Sequence, residues 1–133
     1  VGDWHEMLRG VFPSEELRPH VLSLDGSISG GRFAWFPKMK PSDPSLADVH
    51  GYLQRFYAAE GSTQQLSMGA IWPGFHDFYE EGSCGQQASC GRLPEYDGHT
   101  MEAAIDRAKL HGPTFVQLCT WNDWQEGTAV EPS

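Results

Sequence analysis

Two carboxylates near the C-terminal end of the sequence, Asp123 and Glu126, stand three positions apart in the segment FVQLCTWNDWQEGTAVEPS, among Trp121 and Trp124. They follow a strand-forming run, and two geometries are open to them. A helical or tight turn brings both side chains to one side, whereas an extended chain sends them apart. Gly127 makes the turn plausible, because glycine takes backbone conformations that other residues resist. Two carboxyl groups held close in an indole-walled pocket can divide their work, one keeping its proton while the other stays charged. One acid and one base or nucleophile are what cleavage of a glycosidic bond requires, and indole faces suit the apolar faces of sugar rings. The plain alternative is a solvated polar turn next to core tryptophans.

Other chemistry-bearing residues stand where strands are expected to end. Strand signals run over His20–Gly26, Gly31–Phe36, Gln65–Trp72 and Thr114–Trp121, each bounded by turn residues or a change of period. Asp25 closes the first, Trp35 ends the second, Trp72 to Asp77 close the third with His76 among them, and Trp121 to Glu126 close the fourth. Between the second and third strands Leu46, Val49, Leu53 and Phe56 recur at helical spacing, which predicts a helix from about Ser45 to Glu60. Asp43 or Ser45 can cap its start, and Gly61 its end. A second helix follows from a Thr100 cap, with Met101, Ala104, Ile105 and Ala108 on one face and Gly112 at its end.

The stretch between the third strand and that helix has no sustained period and is long for a connection, as a working loop would be. Tyr79, Tyr96 and His99 are candidates for a pocket wall there. The alternation as a whole predicts an α/β protein with parallel strands and right-handed crossovers. In such folds functional residues collect on loops that follow strand C-termini.

Cys84 and Cys90 bracket CGQQASC, a loop that either closes through a disulfide or carries two free thiols. A zinc site drawing on them with His76 or His99 lacks the tight cysteine pair of structural zinc, so no metal or cofactor is expected. Cys119, inside the apolar run, reads as a small buried hydrophobe.

At 133 residues the chain has the size of one ordinary domain, 1–133, with a modest core. Five tryptophans argue against disorder. The net charge of −9 and nine scattered Lys and Arg residues provide no basic footprint, which argues against a nucleic-acid partner. No run approaches the roughly 18 apolar residues of a membrane span, and VGDWHEMLRG has no signal-peptide pattern.

TWNDWQEGTAVEPS resembles the signature at the end of a late barrel strand in glycoside hydrolase family 99, the endo-α-mannosidases and endo-α-mannanases. That pattern reads aromatic, Asn, acid, aromatic, any residue, Glu-Gly-Thr, then an apolar residue and Glu-Pro. The segment is also similar to the family 71 α-1,3-glucanases, which carry Trp-Asn-Asp and a Glu three positions after the Asp. AIWPGFHDFY resembles the Pro-Gly-aromatic segment of the same group, RFAWFPKM its earlier aromatic strand end, and DGHTMEAAIDRA the helix before the signature. The resemblance extends over most of the chain from Val21 onward.

It implies a (β/α)8 TIM barrel and an endo-acting hydrolase of α-mannosides or α-glucans. Glu126 falls on the general acid/base and Asp123 on its partner carboxylate. Glu131 falls on the Glu-Pro, where it would bind substrate, orient Glu126 or serve structure alone; Trp121 and Asn122 fall where they could stack on and bond to a sugar. Trp124, Trp35, Trp72, His76, Asp77 and Asp25 complete the candidate substrate-binding set. Family 99 has Glu where Asp123 stands and is understood to retain configuration through the sugar's own 2-hydroxyl. Family 71 has Asp and inverts by activating water, so the resemblance leaves the stereochemistry open.

Such barrels take about 250 residues, which makes this chain an expected C-terminal half, as a piece of a longer enzyme or as a reduced protein. The missing initiator methionine and the stop straight after the motif agree with that expectation. Half a barrel leaves two sheet edges open, so a missing N-terminal half or self-association is expected to cover them. The expected function is hydrolysis of internal α-glycosidic bonds in a polysaccharide or glycan. The alternative is a non-catalytic carbohydrate-binding or scaffold protein derived from such a hydrolase. The resemblance implies a secreted, periplasmic or Golgi-lumen compartment.

Overall fold

The expected helix after Pro44 forms over Leu46–Glu60 (here α2) and starts from a reciprocal cap. The Asp48 N–H donates to Ser45 Oγ at 3.3 Å, while the Ser45 N–H and hydroxyl both donate to Asp48 Oδ2, at 2.9 and 2.6 Å. This capping box satisfies amide donors that the first turn would otherwise leave open. Hydrogen bonds from Ser45 hold the Asp48 carboxyl below its ordinary range. Ser45 is therefore the cap, and Pro44 precedes it. A computed structural model describes residues 4–24, 31–35, 44–60, 66–76 and 92–132 of the chain.

Apolar spacing on α2 sends Val49, Leu53, Phe56 and Tyr57 into the core, with Leu46 packed at its edge. They meet the second long helix, α3, His99–His111. Its buried positions are Thr100, Ala103, Ala104 and Ala108, so small side chains let α3 approach both α2 and the sheet. Two expectations for α3 are corrected. Its N-cap is Gly98 at φ 92°, and Thr100 lies inside the first turn, where its buried hydroxyl donates to Pro94 O at 2.6 Å. Met101 and Ile105 are half-buried and flank the face that was expected to centre on them. Gly112, at φ 58°, closes the helix in the left-handed conformation glycine allows, its N–H donating to Ala108 O.

Strand β1, Met68–Ile71, pairs in parallel with a strand at Phe115–Leu118, in the register Met68 opposite Phe115 and Ile71 opposite Leu118. Both are shorter than the sequence runs around them. Backbone bonds extend the ladder, from Phe115 N–H to Ser67 O and from Cys119 N–H to Ile71 O, each 3.0 Å. Helix α3 connects the two strands, a βαβ unit of the kind expected. Between β1 and α3 lies a feature that was not expected, an antiparallel ribbon of β2, Phe75–His76, and β3, Arg92–Leu93. The Phe115–Leu118 strand is β4 in chain order.

The first two expected strands reduce to one parallel bridge, Ser23 to Arg32, among the described residues. Helix α1, Trp4–Val11, and a short 3-10 turn at Glu15–Leu17 were not anticipated. Among the described residues the strands form two separate two-stranded sheets rather than a closed barrel. Phe115 on one face of β4 and Val116 and Leu118 on the other are exposed, so this strand is open on both sides. None of the described helices is long and apolar enough to cross a membrane.

Candidate functional site

Directly after β4, residues 120–131 fold back on themselves through short-range bonds. The Thr120 N–H donates to Thr128 O at 2.9 Å and the Thr128 N–H to Asp123 O at 3.1 Å. The Val130 N–H reaches Thr120 O and Trp121 O, and the Glu131 N–H reaches Trp121 O at 2.9 Å. Gly127, at φ 60°, supplies the left-handed residue this reversal needs, and its N–H donates to Trp124 O at 3.2 Å. The Cys119–Thr120 peptide at the base of the loop is cis.

A hydroxyl pair anchors the loop from beneath. Thr128 is 1% exposed, and its Oγ1 lies 2.8 Å from Thr120 Oγ1, close enough that one hydroxyl donates to the other. Thr120 Oγ1 in turn accepts the Asp123 N–H at 3.1 Å. Asp123 Oδ1 then accepts the Glu126 N–H, also at 3.1 Å. The chain Thr128, Thr120, Asp123, Glu126 thus runs from a buried group to the two half-buried acids.

The segment turns rather than running extended, and the turn bonds the Glu126 backbone to the Asp123 side chain. It also assigns Asp123 a task that spacing did not reveal, since one carboxylate oxygen caps the turn. Oδ2 makes no hydrogen bond among the described residues and is left for other work. Glu126 is fixed from its other side as well, because its carbonyl accepts the His76 N–H of β2 at 2.8 Å. The unexpected ribbon therefore ties directly to the acid-bearing turn.

Trp121 and Trp124 are 60% and 52% exposed, and Asn122 is exposed beside them. Glu131 is half-buried, and its side chain makes no hydrogen bond or ion pair among the described residues. Trp72 is a correction: at 0% exposure it belongs to the core, with its ring centroid 6.0 Å from that of Tyr52, and has no face to offer a sugar. Trp35 is half-buried against the same core, and its carbonyl accepts the Tyr52 hydroxyl at 3.1 Å. Burial raises the Tyr52 phenol above its ordinary value. Asp25 and Asp77 lie outside the described residues, as do Tyr79, Cys84 and Cys90 with the disulfide and zinc alternatives they carried. Cys119 is a buried free thiol whose pKa burial pushes up.

A cleft of about 490 Å³ opens between the ribbon and the terminal turn, lined by His76, Arg92, Glu95, Tyr96, Asp97 and Gly127 among others. His76 and Tyr96 were in the sequence reading; Arg92, Glu95 and Asp97 were not. They look like ordinary surface charges until the pairing of His76 with Arg92 brings them beside the turn. His99, the other expected wall residue, is engaged on α3, its Nδ1 2.8 Å from Glu102 Oε2. No family model matches the chain, and comparison with curated proteins and with solved structures yields no match.

Proposed function

We propose that this protein is a glycoside hydrolase that cleaves internal α-linked bonds of a polysaccharide or glycan, with Glu126 as proton donor and Asp123 as base. The observation that carries the reading is the bond from the Glu126 N–H to Asp123 Oδ1, which joins two half-buried acids in one turn that also carries the exposed Trp121 and Trp124. The resemblance of TWNDWQEGTAVEPS to the family 99 and family 71 signatures assigns the same two residues. Glu126 passes its proton to the leaving glycosidic oxygen as the bond to the anomeric carbon breaks. Asp123 Oδ2, the oxygen not used by the turn, takes the proton either from the attacking water or from the sugar's own 2-hydroxyl. Net addition of one water balances both routes.

In fold terms the reading is that of the C-terminal part of a (β/α)8 barrel. The β1, α3, β4 unit with its acids just past the end of β4 supports it, and so does the openness of β4 on both faces. The second reading, a carbohydrate-binding protein without turnover, is favoured by the engagement of Asp123 Oδ1 as a turn cap, a task a structural carboxylate performs equally well. Reducing-sugar release from α-mannans and α-1,3-glucans separates the two. The hydrolase reading expects release that Glu126→Gln lowers by at least about 100-fold with binding retained; the second expects binding without release.

A further inference from the structure

We infer that the bare helix-side face of β4 is covered by helix α1 of a second copy of this chain, in a two-fold exchange that makes the protein a dimer. The inference does not depend on the hydrolase reading. It rests on two apolar surfaces that one chain carries and leaves apart. The first is a stripe on α1, where Trp4, Met7, Leu8 and Val11 recur at three- and four-residue steps on one side of the helix, with Glu6 and Arg9 on the other. Leu8 is buried, but Trp4, Met7 and Val11 are about half exposed or more. A helix this short is marginal in water by itself, so its stability has to come from packing of that stripe.

The second surface belongs to β4. A side chain on Gly69 would point at Tyr57 of α2 and at Pro113, so the sheet face that carries Gly69 is the one beneath the helices. Val116 lies opposite Gly69 and Leu118 opposite Ile71, which puts both on that face. Helix α3 packs over β1, yet Val116 and Leu118 stay about half exposed. The helix layer therefore stops short of β4, and a sheet face of this kind is stable when another element covers it.

The two surfaces suit each other in length, chemistry and area. The eight residues of α1 span about 12 Å and the four of β4 about 13 Å. No charged residue lies between Pro113 and Trp121, and Glu6 and Arg9 face away from the stripe, so the contact buries no unpaired charge. In a two-fold pair each copy gives its α1 and receives its partner's, so both contacts form together. The exposed parts of Trp4, Met7, Val11, Val116 and Leu118 amount to roughly 450 Å² on each copy. A standard interface buries about 800 Å² per partner, a little over half of it apolar, which this area meets. An unrelated partner would have to bring a sheet to one surface and a helix to the other, whereas a second copy brings both. Each copy carries a charge of −9, so association is expected to tighten as salt screens the repulsion.

Sedimentation velocity of the whole chain over a concentration series tests this, with a dimer of Kd on the order of 10 μM expected. Two double variants separate the surfaces: Met7→Gln with Val11→Gln on α1, and Val116→Thr with Leu118→Thr on β4. Glutamine suits a helix and threonine a strand, and circular dichroism checks that each protein is folded. Where a double variant unfolds, Val11→Gln or Val116→Thr alone takes its place. Each variant is expected to associate at least about tenfold more weakly than the parent. An equimolar mixture of the two regains one contact, the intact α1 of one variant on the intact β4 of the other, and is expected to associate more tightly than either variant alone. Pairing of α1 with α1, or of β4 with β4, would instead leave one variant as dimeric as the parent. A parent that stays monomeric throughout, a variant that associates as the parent does, or a mixture no tighter than its components overturns the inference.

Discussion

Asp123 holds Glu126 through the backbone: its Oδ1 accepts the Glu126 N–H at 3.1 Å. The same side chain is thus both turn cap and proposed base, and the two tasks use different oxygens. Asp123→Asn retains an oxygen at the capping position and removes the charge. Its activity is expected to fall at least about 100-fold with little change in Tm. Asp123→Ala removes both functions and is expected to cost about 1 kcal/mol of stability as well. Paired thermal melts and sugar-release assays check the separation.

Beneath that bond lies the hydroxyl pair. Thr128→Val keeps the side-chain volume and removes the buried hydroxyl that pairs with half-buried Thr120 Oγ1, which is expected to cost about 1 kcal/mol. Thr128→Ser keeps the hydroxyl and should cost less. If the pair positions Asp123, Thr128→Val also lowers kcat more than it raises KM, and Thr128→Ser restores most of the loss. Equal kcat values for the valine and serine variants would leave the hydroxyl with a structural role only.

Two glycines mark places where backbone and side chains meet closely. A Cβ on Gly69 would lie 2.5 Å from the Tyr57 hydroxyl oxygen and 2.9 Å from Pro113 Cγ, and one on Gly74 would lie 2.9 Å from the Leu93 carbonyl oxygen. Gly69→Ala and Gly74→Ala are each expected to destabilise the protein by about 1 to 3 kcal/mol. Val116→Thr, on the open face of β4, should stay within about 0.5 kcal/mol of the parent. Urea titrations of the three variants measure the contrast.

Acid pH loosens the start of α2. Bonds from Ser45 depress the Asp48 pKa in the folded state below its ordinary value, so the contribution of this cap is fully present above that ordinary value. It is lost as pH falls through the folded pKa, because protonation removes the charge that strengthens the bonds from Ser45. Ser45→Ala is expected to cost about 1 kcal/mol at neutral pH. The difference between parent and Ser45→Ala should shrink as pH falls through the depressed folded-state pKa of Asp48, which a pH series of thermal melts follows.

What could be read from sequence follows the range of the interactions. Leu46, Val49, Leu53 and Phe56 identify α2 because a helical face is a local pattern, and Gly112 identifies the end of α3 for the same reason. Thr100 looked like a cap because its hydroxyl suits one, but that hydroxyl is used inside the helix to bind Pro94 O. Trp4, Met7, Leu8 and Val11 carry helical spacing that was not used, and α1 forms there. The β2–β3 ribbon joins His76 to Arg92 across a long sequence interval, and no local pattern announces such a pairing. The cleft depends on that ribbon, so Arg92, Glu95 and Asp97 carried no signal of their own. Trp72 shows the converse: a tryptophan at a strand end has the same one-letter signature whether it plugs a core or faces a ligand.

The most direct test of the central claim is reducing-sugar release from purified α-mannan and α-1,3-glucan by this chain, alongside its Glu126→Gln variant. The account predicts release from one of the two polymers that falls at least about 100-fold in the variant while glycan binding persists. Release that is equal in both proteins, or glycan binding with no release by the unsubstituted chain, would contradict it.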